Sequence, residues 1–301
     1  TGNFSKRIHS WTGEYFTNLY SAKVAEDGSL GEVEKFGNKL NSKFHEDTPV
    51  FTKDGKTVYF TRNNYLDKRG FNDGKVTLLK IYKAKLDDKG KWIDITALPF
   101  NSDSYQCAHP TLSPDGKMMY FVSDMPGSLG KSDLYKVAIS DDGTFGTPEN
   151  LGKTINTEGR ETYPFITAKN ELYFSSDGHP GLGGLDIFAT KIPEDGMFTN
   201  IQNIGEEANS PKDDFAFIIN TDTKRGFLSS NRDGGEGNDD IYKFLETREL
   251  FIEQAIFGVV TDATTNEILP NTKITLLDEK FNKIAETTTD DKGFYEFLKL
   301  Q

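Results

Sequence analysis

Histidine, cysteine and serine are the residues from which metal sites and nucleophilic sites are most often built. The four histidines, His9, His45, His109 and His179, occur at no H-x-x-H or H-E-x-x-H spacing, and the single cysteine, Cys107, belongs to no C-x-x-C pair. The chain also contains no G-x-S-x-G or Walker A sequence. We therefore predict no catalytic residue, no metal ligand and no cofactor, and interpret Cys107 as a small buried thiol.

Two segments rich in aspartate and glycine, 177–186 and 233–240, carry the residue types that bind calcium through carboxylates and carbonyls. The same residue types supply turn geometry, and an aspartate placed just before a strand accepts hydrogen bonds from nearby backbone amides. We favour the turn interpretation, and the sequence leaves calcium binding open.

The charge balance argues against one class of partner. The 301 residues include 35 Lys and Arg against 47 Asp and Glu, a formal net charge of −12, and no basic cluster occurs. Proteins that bind nucleic acid neutralise phosphates with clustered Lys and Arg, so we expect no nucleic-acid partner. No apolar run reaches the roughly 18 residues of a membrane span, and the opening residues lack a secretory signal, so we expect a mature or excised segment.

The elements that must position any site are visible as internal repeats. The first half of each repeat is an apolar strand, a turn and a second strand that ends in aromatic residues. The aromatic residue that marks the second strand recurs at steps of 61, 53 and 54 residues, as Tyr59, Tyr120, Tyr173 and Phe227.

The second half of each repeat begins at an aromatic residue and ends at an asparagine. After Tyr20, Tyr135 and Phe188, a glycine follows at 8 residues and an asparagine at 21. Tyr82 begins a slightly shorter copy, and Tyr242 begins a copy that is not completed.

Each repeat therefore contains four short strands separated by turns, the pattern of an antiparallel meander. Such sheets bury both faces when they stack around an axis, and helical periodicity is absent. We predict an all-β chain whose residues 1–247 form a β-propeller of at least five blades, of which the first is incomplete. The repeats leave open a total of six blades in the parent protein.

The spacing of the predicted strands changes after the propeller repeats. Segments 256–262, 273–278 and 289–297 predict three strands of a second domain over residues 253–301. The pattern G-x-V-x-D followed by T-D-x-x-G-x-F/Y-x-F resembles that of carboxypeptidase regulatory-like domains, which are small prealbumin-like β-sandwiches. The resemblance implies a sandwich that is truncated at the end of this chain.

The propeller repeats carry a resemblance of their own. The turn 113–117 with Tyr120 and Phe121, and the related segments 123–135, 176–188 and 230–242, are similar to the WD40-like repeats of TolB-type propellers. TolB-type repeats followed by a regulatory-like sandwich resemble OmpA-family envelope proteins associated with type IX secretion and gliding. The resemblance implies a periplasmic protein associated with the outer membrane, which reaches peptidoglycan only indirectly, through a domain that is not in this chain.

Two groups of residues are candidates for binding. The loops that enter the inner strands should meet at the mouth of the axial channel, although solvated loop charge is the alternative explanation. These channel-mouth candidates are His45, Glu46, Asp47, Arg160, Glu161, Lys212 and Asp213. An insertion within 62–79 is the candidate for a protein contact, unless its aromatic residues fold onto their own blade. Its candidate residues are Tyr65, Leu66, Arg69 and Phe71.

The leading hypothesis is a non-catalytic periplasmic scaffold that docks an outer-membrane or periplasmic protein. Two alternatives remain open at this point. The propeller could belong to an enzyme or an enzyme accessory that acts on glycans or gates a peptidase, or it could be a calcium- or carbohydrate-binding module.

Overall fold

A computed structural model describes residues 16–37, 39–64, 77–193, 196–248, 250 and 254–300. The chain divides into two compact units, Thr1–Glu246 and Thr247–Gln301. The regular elements of the described residues are all β-strands, which confirms the prediction of an all-β chain. Within these ranges, no helix has the length and apolarity needed to cross a membrane.

In the described part of the first unit, the strands form five antiparallel sheets, which we call blades 1 to 5. Blade 1 consists of β1 (Tyr20–Ser21) and β2 (Glu34–Lys35). Blade 2 consists of β3 (Glu46–Phe51), β4 (Thr57–Asn63), β5 (Leu79–Leu86) and β6 (Trp92–Ala97). Blade 3 consists of β7 (Cys107–Leu112), β8 (Met118–Ser123), β9 (Asp133–Ala138) and β10 (Glu149–Asn150).

Blade 4 consists of β11 (Glu161–Ile166), β12 (Glu171–Ser176), β13 (Asp186–Lys191) and β14 (Gln202–Asn203). Blade 5 consists of β15 (Asp214–Asn220), β16 (Arg225–Ser230) and β17 (Asp240–Leu245).

The blades follow one another around a common axis. Within each blade every strand pairs with the next one along the chain. The inner strands β3, β7, β11 and β15 contact their neighbours in that order. The Arg225 guanidinium of blade 5 donates a hydrogen bond to the Asp27 carbonyl of blade 1 at 3.1 Å. This is a propeller-like arrangement, as the repeats predict.

A side-chain contact recurs at the outer side of four blades. The asparagine that ends each repeat pairs with the backbone of the residue just before the aromatic residue that begins the second half of the repeat. Its side-chain amide accepts from the N–H of that residue and donates to its carbonyl, at 2.6 to 3.1 Å. We call this contact the asparagine clamp. The pairs are Asn41 with Leu19, Asn101 with Ile81, Asn156 with Leu134 and Asn209 with Ile187.

The core lies in layers between neighbouring blades. In blade 2, Phe60 packs in a cluster with Leu19 and Leu40 of the preceding blade, whereas Tyr59 packs in a cluster with Met119 and Phe121 of the following one. Successive strand residues point to opposite faces, so the paired aromatic residues of each second strand supply both layers. This explains why the repeats are rich in aromatic residues.

Blade 5 has one face that the other described blades leave open. Phe227 occupies the position of Tyr59, Tyr120 and Tyr173, which lie on faces packed against a following blade. On the corresponding face of blade 5, Ile218, Ile241 and Leu245 are 47, 69 and 52% exposed. Exposed apolar groups of this size mark a surface that another chain segment or partner can cover.

The second unit contains β18 (Gln254–Val259), β19 (Lys273–Leu277), β20 (Lys283–Thr288) and β21 (Phe294–Leu300). The β18 strand pairs with β21, and β19 pairs with β20, both in antiparallel fashion. The sequence does not single out β20, because Glu286, Thr287 and Thr288 interrupt any apolar alternation.

Loss of one asparagine clamp should destabilise the propeller. We expect Asn156→Ala to lower the free energy of unfolding by roughly 1–3 kcal/mol, because it removes the side-chain acceptor of the buried Leu134 N–H and leaves the Leu134 carbonyl with the Leu151 N–H as its donor. Urea unfolding followed by tryptophan fluorescence measures the change. The control Lys153→Ala alters an exposed residue of the same turn and should shift stability by less than about 0.5 kcal/mol. Equal stability of the two variants would contradict the structural role of the clamp.

Candidate functional site

The four inner strands carry the same backbone irregularity at the same position. In each strand the pairing register shifts by a β-bulge two residues after the strand begins. The bulge residue has a positive φ, between 45° and 53°, although none of the four is glycine. These residues are Thr48, His109, Tyr163 and Ala216. Left-handed conformations are costly for such residues and cluster at functional positions when they recur.

The sequence explains three of the four bulges. Pro49, Pro110 and Pro164 each follow the bulge residue inside an inner strand. Proline has no N–H to donate to a ladder, and it disfavours the right-handed helical region for the residue before it. Phe217 takes the proline position in blade 5, where neighbouring packing holds the bulge.

The bulges bring four side chains near the axis, Asp47, His109, Tyr163 and Phe215, which we call the axial cluster. Asp47 joins the others through the β3–β4 register, in which it lies opposite Thr61, a residue that also contacts His109. The imidazole of His109 meets the ring of Tyr163 edge-on, with centroids 3.9 Å apart. Tyr163 in turn lies 5.0 Å from Phe215 of the next blade. The His109 backbone N–H donates to the Thr61 hydroxyl at 2.8 Å, which ties this bulge to blade 2.

His109 is held neutral by its surroundings. Its side chain is buried, with the residue 9% exposed, and Nδ1 has no hydrogen-bond partner in the described structure. Burial lowers the pKa of His109 to about 3, because the charged imidazolium would lose its hydration. The axial cluster therefore contains an uncharged imidazole at neutral pH.

Asp47 supplies the charge of the axial cluster. Its carboxylate accepts a hydrogen bond from the Thr48 N–H at 2.7 Å. Burial raises the pKa of Asp47 to about 6, and no lysine or arginine among the described residues offsets that effect. Burial also raises the pKa of Tyr163, and the negative charges of Asp47 and Asp239 raise it further. The charge of Asp47 on β3 therefore acts on the Tyr163 hydroxyl on β11.

A cavity of about 1160 Å³ continues from the axial cluster along the inner strands. Its wall is formed mainly by apolar residues of all four inner strands, among them Val50, Leu112, Ile166, Phe217 and Ile218. The open face of blade 5 continues this wall through Phe227 and Leu245, and the turn 24–28 of blade 1 also lines the cavity. Charged groups also line the cavity: Glu26, Asp27, Lys53, Arg225 and Lys243.

The buried acidic residues predicted for the channel mouth hold inner strands to their neighbours. Glu46 is 1% exposed and bonds to Arg62 at 3.1 Å. Glu161, which is fully buried, accepts from the Ser176 hydroxyl at 2.8 Å. Asp214 occupies the same position in blade 5, where it pairs with Arg232. The contacts of Glu46 and Glu161 join the first and second strands of their blades, and that of Asp214 joins β15 to the loop after β16.

The other predicted mouth residues lie in surface contacts. His45 is in hydrogen-bond distance of the Thr17 hydroxyl at 3.1 Å. Arg160 pairs with Asp177 at 2.9 Å, and Lys212 with Asp233 at 3.3 Å. The Asp213 carboxylate accepts from the Leu185 N–H at 2.8 Å. Of the seven predicted residues, Asp47 alone belongs to the axial cluster.

Sequence reasoning did not assemble His109, Tyr163 and Phe215 into a site. His109 counted as a scattered histidine, because its partners come from different blades. The available signal was the recurrence of proline inside three predicted inner strands, because a proline within a strand is typical of an edge strand or a bulge. The predicted contact residues of the insertion, Tyr65, Leu66, Arg69 and Phe71, lie outside the described residues.

The aspartate-rich loops have a structural role. Asp186 accepts from the N–H groups of Leu182 and Gly183 at 2.9 and 3.0 Å, and Asp133 makes equivalent bonds in blade 3. Within the described ranges, no group of three or more His, Cys, Asp or Glu is arranged to hold a metal ion.

The chain matches no protein-family model and no curated protein. Among solved structures it is similar to TolB from Acinetobacter baumannii, at 17% identity over 73% of this chain and 44% of that one, with a TM-score of 0.45. A putative TolB from Agrobacterium tumefaciens is 14% identical over 94% of this chain and 90% of that one, with a TM-score of 0.43.

An α-L-arabinofuranosidase from Lactobacillus brevis is 12% identical over 65% of this chain and 70% of that one, with a TM-score of 0.43. The chain spans less than half the length of the Acinetobacter TolB. These similarities concern the fold and no activity.

Removal of the Asp47 charge should stabilise the protein. A folded-state pKa of about 6 means that ionisation of Asp47 is harder in the folded chain than in the unfolded one, where its pKa is 3.8. This cost is present above pH 6 and disappears as the pH falls through 6 to below 4. We expect Asp47→Asn to raise the free energy of unfolding by roughly 1 kcal/mol at pH 7.5, with no difference at pH 3.5.

Urea unfolding of the variant and the wild type at both pH values measures this difference. Asp88→Asn removes an equal charge from an exposed turn and serves as the control. Destabilisation of the Asp47→Asn protein at pH 7.5 would show that the carboxylate is stabilising.

Proposed function

We propose that this chain is a non-catalytic scaffold whose propeller docks a segment of a protein partner in the axial cavity. The observation that carries this proposal is the apolar wall of a cavity of about 1160 Å³, which the open face of blade 5 extends. Apolar surface of this extent is stabilised when a partner covers it. A cavity of about 1160 Å³ lined by residues of five blades is large enough for a polypeptide segment.

The distribution of charge supports a protein ligand. The apolar wall is bordered by both signs of charge. Glu26 and Asp27 of blade 1 are negative, and Arg225 of blade 5, which bonds to the Asp27 carbonyl, is positive, as are Lys53 and Lys243. Protein interfaces commonly combine an apolar centre with a polar rim of this kind. A rim that carries both positive and negative side chains also fixes the register of a bound segment.

The arrangement of carboxylates favours a scaffold over a glycan-cleaving enzyme. Glycoside hydrolysis commonly needs two carboxylates that flank the bond to be cleaved. The carboxylates among the cavity lining are Glu26 and Asp27, adjacent in sequence on one turn. Glu46, Glu161 and Asp214 are engaged in contacts within their own blades.

The proposed setting is the periplasm, in association with the outer membrane. The support is the resemblance of the repeats to TolB-type propellers, followed by a unit that resembles a regulatory-like sandwich. In this proposal the partner belongs to an outer-membrane assembly of the type IX secretion or gliding kind. The second unit acts as a spacer toward a wall-binding domain outside this chain.

A charge placed on the cavity wall should abolish docking. Ile218 lines the cavity and is 47% exposed, so Ile218→Glu should leave the fold intact while burying a charge in any bound apolar segment. We expect affinity purification from the parent cell envelope to recover an outer-membrane protein with the wild-type chain and to lose it with this variant.

The matched control is Val33→Glu, because Val33 is 44% exposed and lies away from the cavity. It should retain the partner. Equal recovery with all three proteins would place the docking surface elsewhere, and recovery of no envelope protein with the wild type would contradict the scaffold proposal.

A further inference from the structure

The axial cluster combines groups that all interact favourably with a cationic hydrogen-bond donor. Asp47 contributes a carboxylate, and Tyr163 and Phe215 contribute aromatic rings. His109 contributes an uncharged imidazole whose Nδ1 has no partner in the described structure. Carboxylates attract cations, and aromatic faces do so through the ring quadrupole. A neutral imidazole offers a lone pair to a donor when its other nitrogen carries the proton.

Other ligand classes fit these groups poorly. An anion would be repelled by Asp47, and no lysine or arginine in the described ranges forms an ion pair with this carboxylate. A metal ion would need several ligating side chains, and the same ranges contain no group of three. A purely apolar ligand would leave the Asp47 charge buried without a partner, which is costly.

The position of the cluster fits a cationic side chain on a docked segment. Tyr163 belongs both to the axial cluster and to the lining of the apolar cavity. The bulge residues Thr48 and Ala216, which are adjacent in sequence to Asp47 and Phe215, also line the cavity. A segment lying in the cavity therefore meets the cluster at its end. Lysine joins a flexible apolar stem to a compact ammonium with three donors, so its stem can lie along the apolar wall while its head reaches Asp47.

We propose that the axial cluster binds the ammonium group of a lysine side chain carried by the segment that docks in the cavity. Asp47 pairs with the ammonium, Tyr163 and Phe215 face it, and His109 Nδ1 accepts one of its hydrogens. This inference rests on the proposed docking function and names the group that the site recognises. It also gives the half-buried charge of Asp47 a partner in the bound state.

The test uses the full chain and a small probe, Nα-acetyl-lysinamide, whose ε-amine is its only charged group. The four histidine rings of the chain are observed by NMR after selective labelling, and the His109→Gln variant assigns the His109 signal. We expect the probe to shift the His109 signal saturably, with a dissociation constant on the order of 1 mM. Nα,Nε-diacetyl-lysinamide has the same shape without the charge and should produce no saturable shift.

Two variants identify the carboxylate. Asp47→Asn keeps the shape and the acceptor for the Thr48 N–H, and it should weaken binding of the probe at least about tenfold. Asp88→Asn removes one charge from an exposed turn and should bind the probe like the wild type. Equal affinity of the Asp47→Asn and wild-type proteins, or equal shifts from the diacetylated probe, would overturn the proposal.

A further arm distinguishes a lysine side chain from a chain terminus. Alaninamide carries a free α-amine on a short stem, and we expect it to bind at least about tenfold more weakly than Nα-acetyl-lysinamide. Binding of equal strength would overturn the assignment to lysine. Since the titration contains no partner protein, its failure is separate from failure of the docking function, which the Ile218→Glu comparison tests.

Discussion

The asparagine clamp is the contact on which the positions of the inner strands depend. In blade 3, the side-chain amide of Asn156 pairs with both backbone groups of Leu134, as a neighbouring strand would. The short outer strand β10 supplies only two residues to the sheet, so most of the segment that returns to the axis has no ladder to hold it. The clamp fixes the end of that segment five residues before β11 begins. Repetition of the clamp places successive inner strands at corresponding positions.

Near the axis, the inner strands depart from regular strand pairing through β-bulges. The four bulges turn side chains such as His109 and Tyr163 toward one another, at the expense of left-handed backbone conformations. Buried cross-strand contacts such as Glu46 with Arg62 hold the beginning of each inner strand while the next residues deviate. The axial cluster thus lies on strands whose first residues are held in place by these contacts. Rigid anchoring is what a binding site needs if its side chains are to be preorganised.

The parts of the structure that repeat could be predicted from the sequence, and the parts that differ between repeats could not. Asparagine at a fixed distance from an aromatic residue, and aspartate ahead of a strand, have the same role in several blades, so their spacing indicated the sheet. The axial cluster consists of positions at which the repeats disagree. Asp47, Ala108, Thr162 and Phe215 are equivalent in register, as are Thr48, His109, Tyr163 and Ala216. Internal similarity cannot reveal a site made from such differences.

Site-specific photo-crosslinking in the parent cells detects whether a protein segment occupies the axial cavity, as we propose. Phe51 lines the cavity and is 41% exposed, so a benzophenone-bearing phenylalanine analogue can replace it with little change of shape. Leu182 is 49% exposed and lies outside the cavity lining, which makes it the matched position. We expect an adduct with an envelope protein from position 51 and none from position 182. Absence of an adduct at position 51, or the same adduct from both positions, would contradict it.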